Sequence, residues 1–284
     1  MQNQTPNLEG VAREISASRG LTFVAASGSG ATKQTFRVRD RDGRDLALKV
    51  FPPGQLAERE HREIDAMRQC CHPNIVALVA LDVHSYNSVQ HLYVIEEFIA
   101  GGTLSARVAA SGLLQPSETR ALGRLLIDAV AHVAERDLVH RDIKPDNVLL
   151  QADGVTPMLT DFGIVRNLRA SSLTGTWQML GPGTPAFSSP EQLHNDKHLI
   201  NWRSDQFSVA ILLAIVTFGS HPYQREGEML QQAVGHTIER DGPANRFSPA
   251  ATRAGLSALV KMAAPWPVQR YRTPQLLARA WEAQ

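Results

Sequence analysis

Cysteine is nearly absent: Cys70 and Cys71 are the only two in 284 residues. Adjacent cysteines can close only a strained ring, so a disulfide framework is excluded and reduced thiols are expected. Long hydrophobic runs are missing too. The most apolar stretch, Phe207 to Gly219, has 13 residues and includes Ser208 and Thr217, short of the roughly 20 that a membrane-spanning helix needs. A buried core helix is expected there instead. Neither sign of charge prevails, since 29 Lys and Arg against 28 Asp and Glu leave +1. No global footprint therefore points to nucleic acid or an anionic membrane as the main partner. The first residues, Met1 to Pro6, lack the charged and apolar regions of a secretion signal, and the expected location is the cytoplasm. Glycine and proline are close to average usage, and 43% hydrophobic with 20% charged residues is an ordinary globular balance rather than a low-complexity one.

Against a prior of about 150 residues per domain, the length suits one large domain or two lobes. No linker or internal repeat separates independent domains. Residues 1–20 read as a polar tail with a short helix near Leu8 to Ile15, residues 21–99 as strands with one helix, and residues 100–284 as mostly helical. The expected class is α+β. Leu21 to Ala25, Phe36 to Val38 and Leu46 to Val50, with a turn at Asp42-Gly43, read as an antiparallel meander. Glu58 to Cys71 carries Ile64, Met67 and Cys71 at helical spacing, with Glu63 on nearly the same face. His72-Pro73 ends that helix, and Asn74 to Leu81 and His91 to Ile95 are apolar enough for two further strands. Later, Leu122, Leu125, Leu126, Ala129, Val130 and Val133 follow helical spacing, opened by Pro116-Ser117 as a capping signal.

His140-Arg141-Asp142-Ile143-Lys144-Pro145-Asp146-Asn147 has the layout H-R-D-x-K-P-x-N, and Asp161-Phe162-Gly163 follows as D-F-G. Taken singly, the Asp or the Asn would be an ordinary turn residue. Their joint spacing resembles the eukaryotic-like protein kinase superfamily, in its Ser/Thr branch. The resemblance runs from about residue 20 to about residue 280 and implies a bilobal fold: a small antiparallel sheet with one main helix, then a larger helical lobe. Phosphoryl transfer needs an acceptor for the nucleophile's proton, cations around the phosphates, and hard oxygen ligands for a divalent metal. The resemblance implies that Asp142 orients the substrate hydroxyl, Lys144 neutralises the transferring group, and Asn147 with Asp161 binds Mg²⁺, or Mn²⁺ in its place. His140 is assigned a structural role, packing beneath Phe162.

Ala47-Leu48-Lys49 is similar to the strand whose lysine grips the α and β phosphates of ATP. Glu63, nine residues before His72, stands where the family places that lysine's ion-pair partner. Gly28 and Gly30 fill the first two positions of the glycine loop, but Lys33 stands at the third and Thr35 replaces the usual Val. Backbone groups of Glu97 and Ile99 are expected to hold adenine, with Leu149 lining the nucleotide site. Glu96 falls at the back of the purine pocket, a position usually apolar in the family. We expect it to reach Lys49 and compete with Glu63, favouring an inactive arrangement.

The run Gly183-Thr184-Pro185-Ala186-Phe187-Ser188-Ser189-Pro190-Glu191 is similar to the end of the family's activation segment, in a form like bacterial members. Thr184 is expected to bridge Asp142 and Lys144. Ser171, Ser172, Thr174 and Thr176 are candidates for a phosphate that pairs with Arg141. Glu191 with Arg270 matches a buried ion pair, and Asp205 matches the acid that holds the catalytic loop. The expected activity is transfer of the γ-phosphate of ATP to Ser or Thr of a protein substrate, with autophosphorylation and a homodimer as further expectations. A nucleotide-binding pseudokinase and a small-molecule phosphotransferase are the competing readings.

Overall fold

The computed structural model describes residues 8–29, 33–53, 70–161 and 185–284. The helix expected over Glu58 to Cys71 lies outside them except for its last two residues. The chain forms two compact units, Met1–Cys71 with Val76–Phe98, and His72–Ile75 with Ile99–Gln284.

The first unit contains helix α1 (Glu9–Ser18) and strands β1 (Thr22–Ser29), β2 (Gln34–Arg39), β3 (Asp45–Val50), β4 (Leu78–Tyr86) and β5 (Val89–Glu97). The strands form one antiparallel sheet in the order β1-β2-β3-β5-β4. Alternation sorts its faces. Phe36, Val38, Leu46, Leu48, Val50, Tyr93 and Ile95 join Leu8, Val11, Ala12 and Ile15 in a single core. The N-terminal helix is thus part of this unit's core rather than an appendage to a tail. Its polar side also engages the sheet: Arg19 donates to Tyr93 Oη at 2.6 Å and Asp82 Oδ2 at 2.5 Å, and Glu14 meets His84 at 2.9 Å.

Strand β4 begins at Leu78, four residues later than the apolar pattern suggested. Asn74 is drawn elsewhere. Its side-chain amide donates to Pro157 O at 2.9 Å, its carbonyl accepts from Leu159 N–H at 2.8 Å, and Ile75 bridges Leu159 in parallel. Those bonds, all inside the second unit, satisfy backbone groups that a sheet ladder would otherwise use.

The second unit holds α2 (Leu104–Ser111), α3 (Pro116–Ala134), the hairpin β6 (Val148–Leu150) and β7 (Pro157–Leu159), α4 (Pro190–Leu193), α5 (Trp202–Phe218), α6 (Leu230–Glu239), α7 (Phe247–Arg253), α8 (Ala258–Met262) and α9 (Pro274–Glu282). The cap of α3 differs from expectation: Gln115 is the N-cap, its N–H donating to Glu118 Oε2 at 2.7 Å, and Pro116 occupies the first turn, where a missing N–H costs nothing. Helix α5 is the expected core helix, stopped by Gly219 at φ 71°. It packs on α3, where Thr119 and Thr217 hydroxyls bond at 2.7 Å. Trp281 lies against α3 on Gly123, where a Cβ would come within 2.2 Å of the ring. Among the described residues, no helix is long and apolar enough to cross a membrane.

Candidate active site

The loop 140–147 is built on buried anchors. Asp205, in the first turn of α5, accepts from His140 N–H at 2.7 Å and Arg141 N–H at 2.8 Å. Burial pushes its carboxyl up to about 7, against the pull of those two donors. The Asp142 N–H donates to His140 Nδ1 at 3.3 Å, so the proton of the neutral ring sits on Nε2, which donates to Thr160 O at 3.0 Å. Burial lowers the imidazole to about 4, keeping that tautomer uncharged near neutrality. Its structural role follows from these bonds. Arg141 takes φ 66°, turning the chain sharply before Asp142.

Asp142 is gripped by its neighbours. Lys144 Nζ lies 3.0 Å from its Oδ2, and Asn147 Nδ2 donates to the same oxygen at 2.9 Å and to the Asp142 carbonyl at 2.7 Å. Because a carbonyl can only accept, the Asn147 amide has its NH₂ toward Asp142 and its oxygen turned the other way.

The β6–β7 hairpin then brings Asp161 to the same end. Val148 pairs with Leu159, and one step back along the register Thr160 N–H donates to Asn147 O at 3.0 Å. Asp161 follows directly, at φ 60°. An amide oxygen and a carboxylate on adjacent chain segments are the hard donors that magnesium takes, so the residues present fit that ion.

A second set of anchors surrounds α4, which reaches the loop through Gln192. Glu191 and Arg270 form a two-pronged pair, Nη1–Oε1 at 2.7 Å and Nη2–Oε2 at 3.1 Å, with both side chains inaccessible to solvent. Ser204 Oγ donates to the same carboxylate at 2.7 Å, and the guanidinium also donates to carbonyls of Ala264, Arg203 and Pro265. Burial raises the Glu191 carboxyl, but the Arg270 charge and these bonds hold it below its ordinary value. Gln192 was not foreseen. Its oxygen accepts from Ser189 N–H at 3.1 Å, and its Nε2 donates to Arg141 O at 2.9 Å, tying α4 to the loop. Ser189-Pro190-Glu191-Gln192 carries a helix-start pattern that signals the first bond, and no local pattern signals the second.

In the first unit, Ala47 and Lys49 share a face of β3 and Ala47 pairs with Glu96. Lys49 Nζ contacts Glu96 Oε2, both side chains being buried. The expected approach of Glu96 to Lys49 is therefore present. Gly28 pairs with Thr35, and a Cβ built on it meets nothing within 4 Å among the described residues. Their packing does not demand glycine there. Glu97 N–H donates to Ala77 O at 3.0 Å.

Ile99 and Leu149 belong to the second unit. Leu149 pairs with Met158 in the hairpin and bridges Thr103, while Gly101 N–H donates to Leu150 O at 3.0 Å. A Cβ on Gly101 would fall 2.2 Å from Gln151 O and 2.3 Å from Leu150 O, so glycine is obligatory there. Gly30, Glu63, Thr184 and residues 171–176 lie outside the described residues.

Comparison with known proteins gives a consistent picture. Residues 22–281 match the family described as protein kinase domain. The chain is 30% identical over 245 residues to serine/threonine-protein kinase AtPK2/AtPK19 of Arabidopsis thaliana, covering 82% of this chain and 49% of that protein. It is 29% identical over 237 residues to serine/threonine-protein kinase PrkC of Bacillus subtilis (strain 168), covering 82% of this chain and 35% of that one. Against human calcium/calmodulin-dependent protein kinase type 1B the identity is 31% over 224 residues, with 76% and 62% covered. The chain thus spans half or less of the length of the first two relatives. Among solved structures, Rad53 1–466 in complex with AMP-PNP shares the fold, with a TM-score of 0.71 at 22% identity over 93% of this chain and 66% of that one.

Proposed function

Because this chain belongs to the protein kinase domain family, we propose that it is a serine/threonine protein kinase that moves the γ-phosphoryl group of ATP to a Ser or Thr hydroxyl of a protein. The observation that carries this reading is the Asp142, Lys144 and Asn147 constellation, with Asp161 delivered to the same end by the hairpin register. In the reaction the hydroxyl oxygen forms a bond to the γ-phosphorus, the bond to the β-phosphate oxygen breaks, and ADP leaves. Asp142, oriented by Asn147 and Lys144, holds the hydroxyl and receives its proton, which passes to solvent. Lys144 offers its ammonium to the charge spread over the transferring oxygens. Asn147 and Asp161 hold magnesium. The ion, when bound, neutralises phosphate charge and orders the terminal phosphates.

Other roles belong to the same proposal. Lys49 pairs with the α and β phosphates, and Glu63 is its ion-pair partner. Gly28 and Gly30 let backbone N–H groups approach phosphate, and the open space over Gly28 suits that. Glu97 and Ile99 hold adenine through the backbone, Ala47 and Leu149 contact the base, and Thr184 steadies Asp142 and Lys144. The segments 21–99 and 100–284 serve as nucleotide-gripping lobe and catalytic lobe, and the helix within 1–20 packs into the core of the first. A cytoplasmic setting suits two free thiols, one of them exposed, and self-association of two copies completes the proposal.

The test is transfer of labelled γ-phosphate to the protein itself or to a generic protein substrate. Asp142→Asn should lower the rate about 10²–10⁴-fold, the usual worth of a positioned acid–base group; a variant as fast as wild type contradicts the assignment. A second reading, a nucleotide-binding scaffold, is favoured by the engagement of Lys49 by Glu96. Binding of MgATP without any transfer would select it.

A further inference from the structure

The register of β3 against β5 sets Lys49 opposite Val94 and Ala47 opposite Glu96. Lys49 and Glu96 are therefore diagonal neighbours on one face, within reach of long side chains. The other face carries the Leu46, Leu48, Val50, Tyr93 and Ile95 core beneath α1. Only 4% of Lys49 and 7% of Glu96 remain exposed. A charge this deeply buried is costly without an opposite partner, and Nζ meets Oε2 directly.

The source of that carboxylate matters. One borne on a helix comes and goes with the helix, whereas the β3–β5 ladder holds the Glu96 backbone diagonal to Lys49 and keeps its carboxylate within reach of the ammonium. An ammonium has three N–H donors, so a contact with one carboxylate is compatible with service to a phosphate. A competitor that never lets go would silence the lysine permanently; a fixed partner keeps it charged and aimed.

We infer that Glu96 is a positioning residue for Lys49, built into the sheet, which sets how the ammonium meets the nucleotide phosphates. This rests on the kinase reading for the role of Lys49, and it reverses the inhibitory part expected for Glu96 from sequence. Lys49 is then oriented by β5 in addition to, and more strongly than, by Glu63.

Two experiments test it. MgATP affinity and the separate kcat and KM for ATP are measured for wild type, Glu96→Gln, Glu96→Asp and Glu63→Gln, at a temperature where each is folded. We expect Glu96→Gln to weaken MgATP binding about tenfold or more, as loss of a charged hydrogen bond predicts. Glu96→Asp should recover most of the loss, and the Glu96→Gln effect should exceed that of Glu63→Gln. Binding within twofold of wild type, a faster enzyme, or a larger effect from Glu63→Gln overturns the inference. Thermal unfolding of Glu96→Leu, Lys49→Met and the double variant supplies the second readout. Each single change should lower Tm, or prevent folding, while the double change recovers most of the loss; additive losses overturn the pair. If wild type binds MgATP but transfers no phosphate, the kinase reading falls while the binding comparison still decides the role of Glu96.

Discussion

Replacing Glu191 with glutamine removes a charge at a fully buried, two-pronged ion pair in the second unit. Both side chains have no accessible surface, and the carboxylate accepts from Arg270 at 2.7 and 3.1 Å and from Ser204 at 2.7 Å. Glutamine keeps one acceptor oxygen but turns an NH₂ toward a guanidinium that has only donors, leaving Arg270 charged and uncompensated. Breaking such a pair from one side costs about 3–5 kcal/mol. For a chain of this size each kcal/mol moves Tm by about 2–4 °C, so a drop of roughly 6–20 °C is expected. The damage should spread to the catalytic loop, since the next residue, Gln192, holds the Arg141 carbonyl. The assay is thermal unfolding beside phosphotransfer, with Glu191→Leu/Arg270→Met as the control. Replacing both partners removes the stranded charge and should recover most of the loss. A Glu191→Gln protein within about 2 °C of wild type, well below that expected drop, would refute the reasoning.

Acid should also destabilise the protein. His221 donates from Nε2 to Ala186 O and accepts from Tyr223 N–H on Nδ1, and burial lowers it to about 4, as it does His140. With folded values below the unfolded 6.5, the unfolded chain binds more protons between about pH 6.5 and 4. Stability therefore falls as pH drops through that window, by about 3 kcal/mol per histidine. Asp205, raised to about 7, acts in the opposite sense and offsets part of it, since its folded form holds the proton below pH 7. Urea titrations across this range should show a shallower decline for His221→Gln than for wild type; equal slopes would exclude His221 as a source. Glycine substitutions should separate two kinds of glycine. Gly101→Ala drives a Cβ to 2.2 Å from a backbone oxygen and should cost more than about 2 kcal/mol by urea unfolding. Gly28→Ala meets nothing and should stay within about 0.5 kcal/mol while weakening MgATP binding; equal costs at the two sites would contradict this.

The catalytic loop was legible in sequence because the chemistry fixes residue types at fixed spacing: His140 to Asn147 is contiguous, and the hairpin register that brings Asp161 to Asn147 needs only a short turn. The Lys49 and Glu96 contact was legible for a different reason, since the resemblance set Glu96 at the back of the purine pocket near Lys49; the β3–β5 register then explains why the two share a face. What remained hidden depends on partners far away in the chain. Asn74 looks like part of a strand until Pro157 and Leu159 claim its polar groups. Helix α1 looks like a tail element until Phe36, Val38 and Leu46 bury Val11 and Ile15. Gln192 shows its capping bond locally, but its hold on Arg141 spans 51 residues. Pro116 marked the helix start, but the cap itself is made one residue earlier, by Gln115 with Glu118.

The central claim is that one end of the β6–β7 hairpin presents metal-holding oxygens beside a hydroxyl-orienting acid. Calorimetric titration of ATP into wild type, Asp161→Asn and Asp142→Asn, with magnesium and again with a chelator, tests it most directly. The account predicts tight, magnesium-dependent binding by wild type and Asp142→Asn, and loss of the magnesium-dependent part in Asp161→Asn. Undiminished magnesium-dependent binding by Asp161→Asn would contradict it.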